Sequence, residues 1–236
     1  MMGKFSQRSY QKEIMDDLDA GGKLMEVTLK ELKIINKLLG GNNVTTSSLR
    51  QIMNKYPQKS YSIADIGCGG GDMIRVMANW AKQKKVSCQF TGIDANPNII
   101  KIAKSNLSDI SQVSFETQNI FERSFLEKKV DIVTCTLFTH HFTNEELLLL
   151  LSSFKKKAKL GIVINDLHRH PIAFYSIKLL TGLFSNSAMV KNDGPLSVLR
   201  SFKKSELANI LKTSGITEFE IKWKWAFRWR VTGYIL

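Results

Sequence analysis

The densest run of chemically capable residues is Asp65-Ile66-Gly67-Cys68-Gly69-Gly70-Gly71-Asp72, where the apolar stretch from Ile63 to Ile66 leads straight into glycines and then into a helical pattern. Glycines at such a junction admit positive φ and let a ligand lie against bare backbone at a helix N-terminus. A dinucleotide fingerprint, G-x-G-x-x-G, would place a third glycine beside the pyrophosphate. Here that sixth position is Asp72, and Asp65 stands at the end of the preceding strand. Two carboxylates repel a pyrophosphate, so the expected ligand is nucleoside-like, lacks phosphate and can carry positive charge. A phosphate-cradling G-x-x-x-x-G-K-[ST] is excluded, because no Lys-Ser or Lys-Thr follows the loop. Further on, Gly92-Ile93-Asp94-Ala95-Asn96-Pro97 ends the next apolar run, and a carboxylate such as Asp94 there accepts two hydrogen bonds from a vicinal ribose diol.

All four histidines fall in two pairs, His140-His141 and His168/His170, just beyond the predicted fourth and fifth strands. Both places lie on the ligand-binding edge of a parallel α/β sheet. A histidine there can take a proton at neutral pH, and His168, then His140, are the preferred candidates. The alternative is that these are helix-capping or packing residues. The four histidines and Asp166 lack a helical i, i+4 ligand pair, so no metal site is expected.

The elements that must position these residues alternate. Strands are predicted at Ser62 to Ile66, Cys88 to Ile93, Val113 to Thr117, Val130 to Thr134 and Leu160 to Asn165, with helices around Met73 to Lys82, Asn98 to Asn106 and Asn144 to Lys157. That order makes a parallel sheet with crossover helices. Residues 1–55 read as an amphipathic helical cap, with Leu24 to Leu39 as its clearest stretch, and 56–236 as the core. Residues 168–202 are too long for a plain connection and read as an inserted lid that begins helical and loosens at Ser185-Asn186-Ser187 and Asn192-Asp193-Gly194-Pro195. A helix at Lys204 to Thr213 and two extended segments, Thr217 to Trp225 and Trp229 to Leu236, close the chain without an obvious turn between them.

On Asp65-Ile66-Gly67-Cys68-Gly69-Gly70-Gly71-Asp72, Gly92-Ile93-Asp94-Ala95-Asn96-Pro97, Phe115-Glu116-Thr117-Gln118-Asn119-Ile120 and Asp131-Ile132-Val133-Thr134-Cys135-Thr136-Leu137-Phe138, the sequence resembles the class I S-adenosylmethionine-dependent methyltransferases over about residues 60–165. The resemblance implies a Rossmann-like, mostly parallel seven-stranded sheet with an antiparallel last strand and helices on both faces. It implies S-adenosyl-L-methionine as cofactor and S-adenosyl-L-homocysteine as product. Asp65, Gly67, Cys68, Gly69, Asp94, Ala95, Asn119, Ile120 and Thr136 would contact the cofactor, Asp94 at the ribose and Ala95 on the adenine. Asn119 stands where the family usually has Asp and would accept from the adenine amine through its amide oxygen. Arg8 would reach the cofactor carboxylate. Thr136 replaces the acid that metal-dependent catechol methyltransferases carry. The phrases Asn165-Asp166-Leu167-His168-Arg169 and Asp193-Gly194-Pro195-Leu196-Ser197 look like bacterial quinone- and polyketide-tailoring enzymes.

The expected activity is therefore methyl transfer to a hydroxyl, with carbon as the lesser option, of an apolar aromatic or lipid-like small molecule enclosed by the helical cap and lid. A formal charge of +13, from 34 Lys+Arg against 21 Asp+Glu, raises the alternative of a nucleic-acid methyltransferase, and Trp223 to Arg230 alternates aromatic with mostly cationic residues. Lysines dominate that excess, however, and no Asn/Asp-Pro-Pro-Tyr/Phe motif follows the fourth strand. A silent cofactor-binding regulator is the third reading. Three cysteines without pairing or metal spacing, no signal-peptide core and no membrane-length apolar run point to a cytoplasmic protein. The oligomeric state is left open.

Overall fold

The computed structural model describes residues 3–236. Its strands are β1 (Ser60–Ile66), β2 (Ser87–Asp94), β3 (Val113–Thr117), β4 (Val130–Thr136), β5 (Ala158–Leu167), β6 (Glu218–Lys224) and β7 (Arg228–Tyr234). They form one sheet in the order β3-β2-β1-β4-β5-β7-β6. Every pairing is parallel except those of β7 with β5 and β6, so only β7 runs against the rest. This is the sheet the family resemblance implied.

The helices are α1 (Gly22–Leu38), α2 (Gly41–Lys55), α3 (Asp72–Lys84), α4 (Pro97–Asn106), α5 (Asn144–Lys157), α6 (Pro171–Phe184), α7 (Ala188–Arg200) and α8 (Lys204–Thr213). Strand residues alternate between the two faces of the sheet. Ile63, Ile132 and Val163 join α2 and α3 in one core, while Ala64, Val133 and Ile164 join α5 and α8 in the other. Local chemistry sets the helix starts next to the cavity. Asn96 caps α4 by accepting from Asn98 N and Ile99 N, with Pro97 at its first position, and Thr143 and Glu146 form a capping box on α5.

Three expectations change. Residues 3–21 are mostly irregular, with one short 3-10 turn at Ile14–Asp16, and α2 lies on the sheet rather than over the cavity, burying Leu49, Ile52 and Met53 in the core. The segment expected to loosen near Asn192-Asp193-Gly194-Pro195 is instead the helix α7, which runs through Pro195. On this helix Asp193 is buried and its carboxylate accepts the backbone N–H groups of Ile14 (2.9 Å) and Met15 (3.0 Å), which ties the N-terminal strap to α7 through a contact no local pattern reveals. Finally, Trp225-Ala226-Phe227 supplies the tight turn between β6 and β7, so the aromatic-basic stretch is two strands and its alternation breaks there. Arg228 and Arg230 are buried against Asn165, Ser47 and Glu220 and present no cationic face.

Candidate active site

At the C-terminal ends of β1, β2 and β4 lies a cavity of about 550 Å³, within the usual size range for small-molecule sites. One wall is the glycine turn. Gly67 has φ +64°, and a Cβ there would sit 2.1 Å from the Phe138 ring, so both the backbone conformation and the close approach demand glycine. Gly67 N and Cys68 N both donate to Ile93 O, tying the turn to β2. Gly69 N donates to one Asp94 carboxylate oxygen at 3.3 Å, and Asn96 N to the other at 3.0 Å, which fixes Asp94 at the cavity edge.

The lining includes Asp65, Gly67, Cys68, Gly69, Asp94, Ala95, Asn119, Ile120 and Thr136, so all nine expected contacts from this part of the chain converge. Asn119 Oδ1 accepts from Phe121 N at 3.0 Å, leaving one lone pair and the amide donors for a ligand. Burial pushes the Asp65 carboxyl up to about 7, with the Thr134 hydroxyl pulling the other way and Asp94 adding to the rise. Asp94 is also raised by burial, against the backbone N–H groups that bond it. Asp72 lines the same cavity beside Lys33, but Asp166, expected at this edge, is wholly buried elsewhere. Bare turn backbone, an acidic surround and a fixed carboxylate fit a nucleoside carrying a positive sulfur centre. These residues suit S-adenosylmethionine.

A second part of the lining comes from the mostly irregular N-terminal strap, residues 3–21, with Tyr10, Met15, Asp16 and Leu18, and from Phe121, Phe138, His141, Phe142 and Arg200, with Phe138 packed against Gly67. The three phenylalanines form an edge-to-face chain, with centroids 5.0 Å apart for Phe138 and Phe142 and 5.7 Å for Phe121 and Phe142. His141 Nδ1 lies 2.5 Å from Asp16 Oδ1 and donates to it, while Nε2 lies 3.9 Å from the Glu13 carboxylate. Arg200 donates to Asp16 (2.6 Å), Gln11 O (3.0 Å), His140 O (3.2 Å) and His141 O (2.5 Å). Burial would raise the Asp16 carboxyl, but the His141 hydrogen bond and Arg200 outweigh it and hold it well below the carboxylate range. Neighbouring Glu13 lacks that support, and burial lifts it to about 7 against the pull of His141 and Arg200.

The histidines therefore separate differently from expectation. His140 is buried behind the wall, its Nδ1 2.7 Å from Asp166 Oδ1 and its backbone N–H on the other oxygen at 3.1 Å. His168 does not line the cavity; it stacks against Trp229, with burial, His170, Arg169 and Lys203 pushing it down to about 4. His170 caps α6 through Nδ1, which accepts from Ile172 N. Arg8 does not reach the cofactor region either. It is buried and donates to Arg200 O, Asn144 Oδ1, His140 O and Phe142 O. The apolar residues of the 168–202 segment read equally as core or as pocket lining, but Tyr175, Leu179, Leu180, Leu183 and Phe184 face outward, and from this segment only Arg200 lines the cavity. Glu13, Asp16 and Arg200 carried no signal, since nothing near them in sequence marks a site.

A family model described as a methyltransferase domain matches residues 63–161. Residues 63–161 are thus similar to a methyltransferase domain. This domain holds the glycine turn, Asp94 and the His140-His141 pair. Among curated proteins, the chain is 32% identical over 72 residues to the ubiquinone/menaquinone biosynthesis C-methyltransferase of Campylobacter jejuni, covering 30% of this chain and 31% of that protein. It is 26% identical over 114 residues to the ubiquinone biosynthesis O-methyltransferase of Xanthomonas campestris, covering 48% and 45%. The match thus spans under half the length of either relative. Among solved structures, the plantazolicin methyltransferase bound to S-adenosylhomocysteine superposes with TM-score 0.66 at 17% identity, covering 88% of each chain. The magnesium protoporphyrin IX methyltransferase of Synechocystis, bound to S-adenosylmethionine, gives 0.57 at 14% identity, covering 99% and 98%. The methyltransferase-domain fold thus extends beyond the matched segment. No helix among the described residues is long and apolar enough to cross a membrane.

Proposed function

We propose that the chain is an S-adenosylmethionine-dependent methyltransferase that methylates a hydroxyl of an apolar aromatic or lipid-like small molecule, with His141 as the general base. The observation that carries this reading is the meeting, in one cavity, of the Gly67–Asp94 wall with the phenylalanine wall that bears His141. When bound, the cofactor supplies a methyl group on a positively charged sulfur. Asp94 would accept from its ribose hydroxyls, Ala95 and Ile120 would pack on its base, and Asp65 would balance its positive charge when ionised. Phe121, Phe138 and Phe142 exclude water and hold an apolar acceptor against the methyl donor, and such alignment supplies much of the rate in a displacement. Nε2 of His141 takes the hydroxyl proton, and the resulting imidazolium is stabilised through Nδ1 by Asp16. His141 replaces His168 and His140 as the residue to test.

The test is to incubate the pure protein with methyl-labelled cofactor and, separately, a lipid-phenol extract or total RNA. Label is expected in the extract and to depend on His141. Label confined to RNA, or cofactor binding with no transfer to either, contradicts the reading.

A further inference from the structure

Helix α6 is apolar nearly all round, yet only one side of it touches the protein. Ala173, Phe174 and Thr181 are buried, while Ile172, Tyr175, Leu179, Leu180 and Leu183 are exposed, Leu179 by 63% and Leu183 by 67%. At 100° per residue, Ile172, Leu179 and Leu183 fall within an arc of about 40°, with Tyr175 and Leu180 flanking it. A helix apolar all round normally sits wholly in a core, so the outward stripe implies a covering.

A second apolar surface adjoins it. Trp223 and Trp225, at the β6–β7 turn, are 46% and 67% exposed. Phe227 joins the two, its ring 5.1 Å from His170 at the start of α6 and 6.0 Å from Trp223, and it packs in one cluster with Ile177 of α6. The charge along α6 and the start of α7 has one sign. From Leu167 to Asn192 there is no Asp or Glu, while Lys178 and Lys191 are exposed; on β6, Lys222 is paired with Glu220 at 2.6 Å. Exposed leucines and tryptophans beside the acid-free α6 segment with Lys178 and Lys191 match the boundary of a lipid bilayer with anionic headgroups, where aromatic rings sit at headgroup level and lysines meet the surface potential. A second copy of the chain would set lysine against lysine.

We propose that the outer face of α6 and the β6–β7 turn dock this protein on an anionic membrane surface, without spanning it. α6 follows β5 on the same side of the sheet as the cavity. The inference does not depend on the methyl-transfer reading, because its test needs no turnover.

The experiment is sedimentation of the full chain with vesicles of phosphatidylcholine alone or mixed with phosphatidylglycerol, with tryptophan emission followed in parallel. Binding to the anionic vesicles with a blue shift is expected, weakened by salt. The double variant Leu179→Glu/Leu183→Glu should lower the bound fraction about tenfold or more while its thermal midpoint and cofactor affinity stay unchanged, because both side chains point away from the core. Absence of binding to anionic vesicles overturns the proposal. So does binding untouched by the double variant, or a dimer in lipid-free solution that the variant dissociates.

Discussion

Gly69 and Asp94 meet on one cavity wall from positions 25 residues apart, whereas on the other wall His141 meets Asp16 across 125 residues and Arg200 across 59. The first wall is made of backbone: a positive-φ turn, its N–H groups and one carboxylate pinned between two of them. The second is made of side chains from the strap, the loop after β4 and the end of α7, held by charge-assisted hydrogen bonds. A wall fixed by local turn geometry suits a constant ligand. One assembled from distant side chains can differ in its acceptor while the first stays as it is.

The difference predicts that the walls fail separately. His141→Ala should lower turnover by about 10²- to 10⁴-fold, the usual worth of a positioned base, with cofactor affinity unchanged by calorimetry. Equal losses in both would erase the distinction. Arg200→Met should cost about 1.5–3 kcal/mol of stability in urea unfolding, because it removes the cation beside buried Glu13 and one of the two charged partners of the partly exposed Asp16, which keeps His141. A loss below about 1 kcal/mol would show that the strap is held some other way.

Asp94→Ala, on the backbone wall, should weaken cofactor binding roughly 10- to 100-fold, the worth of one or two hydrogen bonds to a charged group, with little loss of stability. The smallest effect is one of pH. The Asp65 carboxyl titrates at about 7 in the folded protein, so as pH rises from about 4 to 7 its ionisation is opposed by burial and stability declines. A cationic ligand favours the ionised form, so cofactor affinity should rise a few-fold between roughly pH 6 and 8 and then level off. In Asp65→Asn that rise should vanish.

The same contrast explains what was legible in the sequence. The Gly67 turn, the spacing to Asp94 and the alternation of strands and helices are local patterns, and the sheet they form is the mostly parallel, seven-stranded one expected, with its last strand antiparallel. The strap had no pattern: Asp16 sits in an irregular stretch whose shape is dictated by Asp193 and Arg200, nearly two hundred residues away. Of the two histidine pairs expected at the ligand-binding edge, His168 and His170 lie off the cavity, and within the other pair which ring faces it depends on the carboxylate partners. Asp166 draws His140 into the core, and Asp16 holds His141 at the cavity wall. Likewise, the apolar run of α6 reads as core or pocket until packing shows that neither covers its outer face.

The central claim is that a residue of the N-terminal strap orients the base on the acceptor wall, and Asp16→Asn tests it most directly. Under single-turnover conditions with cofactor and acceptor saturating, the transfer rate should fall by about 100-fold or more, since the wrong imidazole tautomer is then favoured, while cofactor affinity stays within about twofold. A transfer rate equal to that of the unaltered protein would contradict the account.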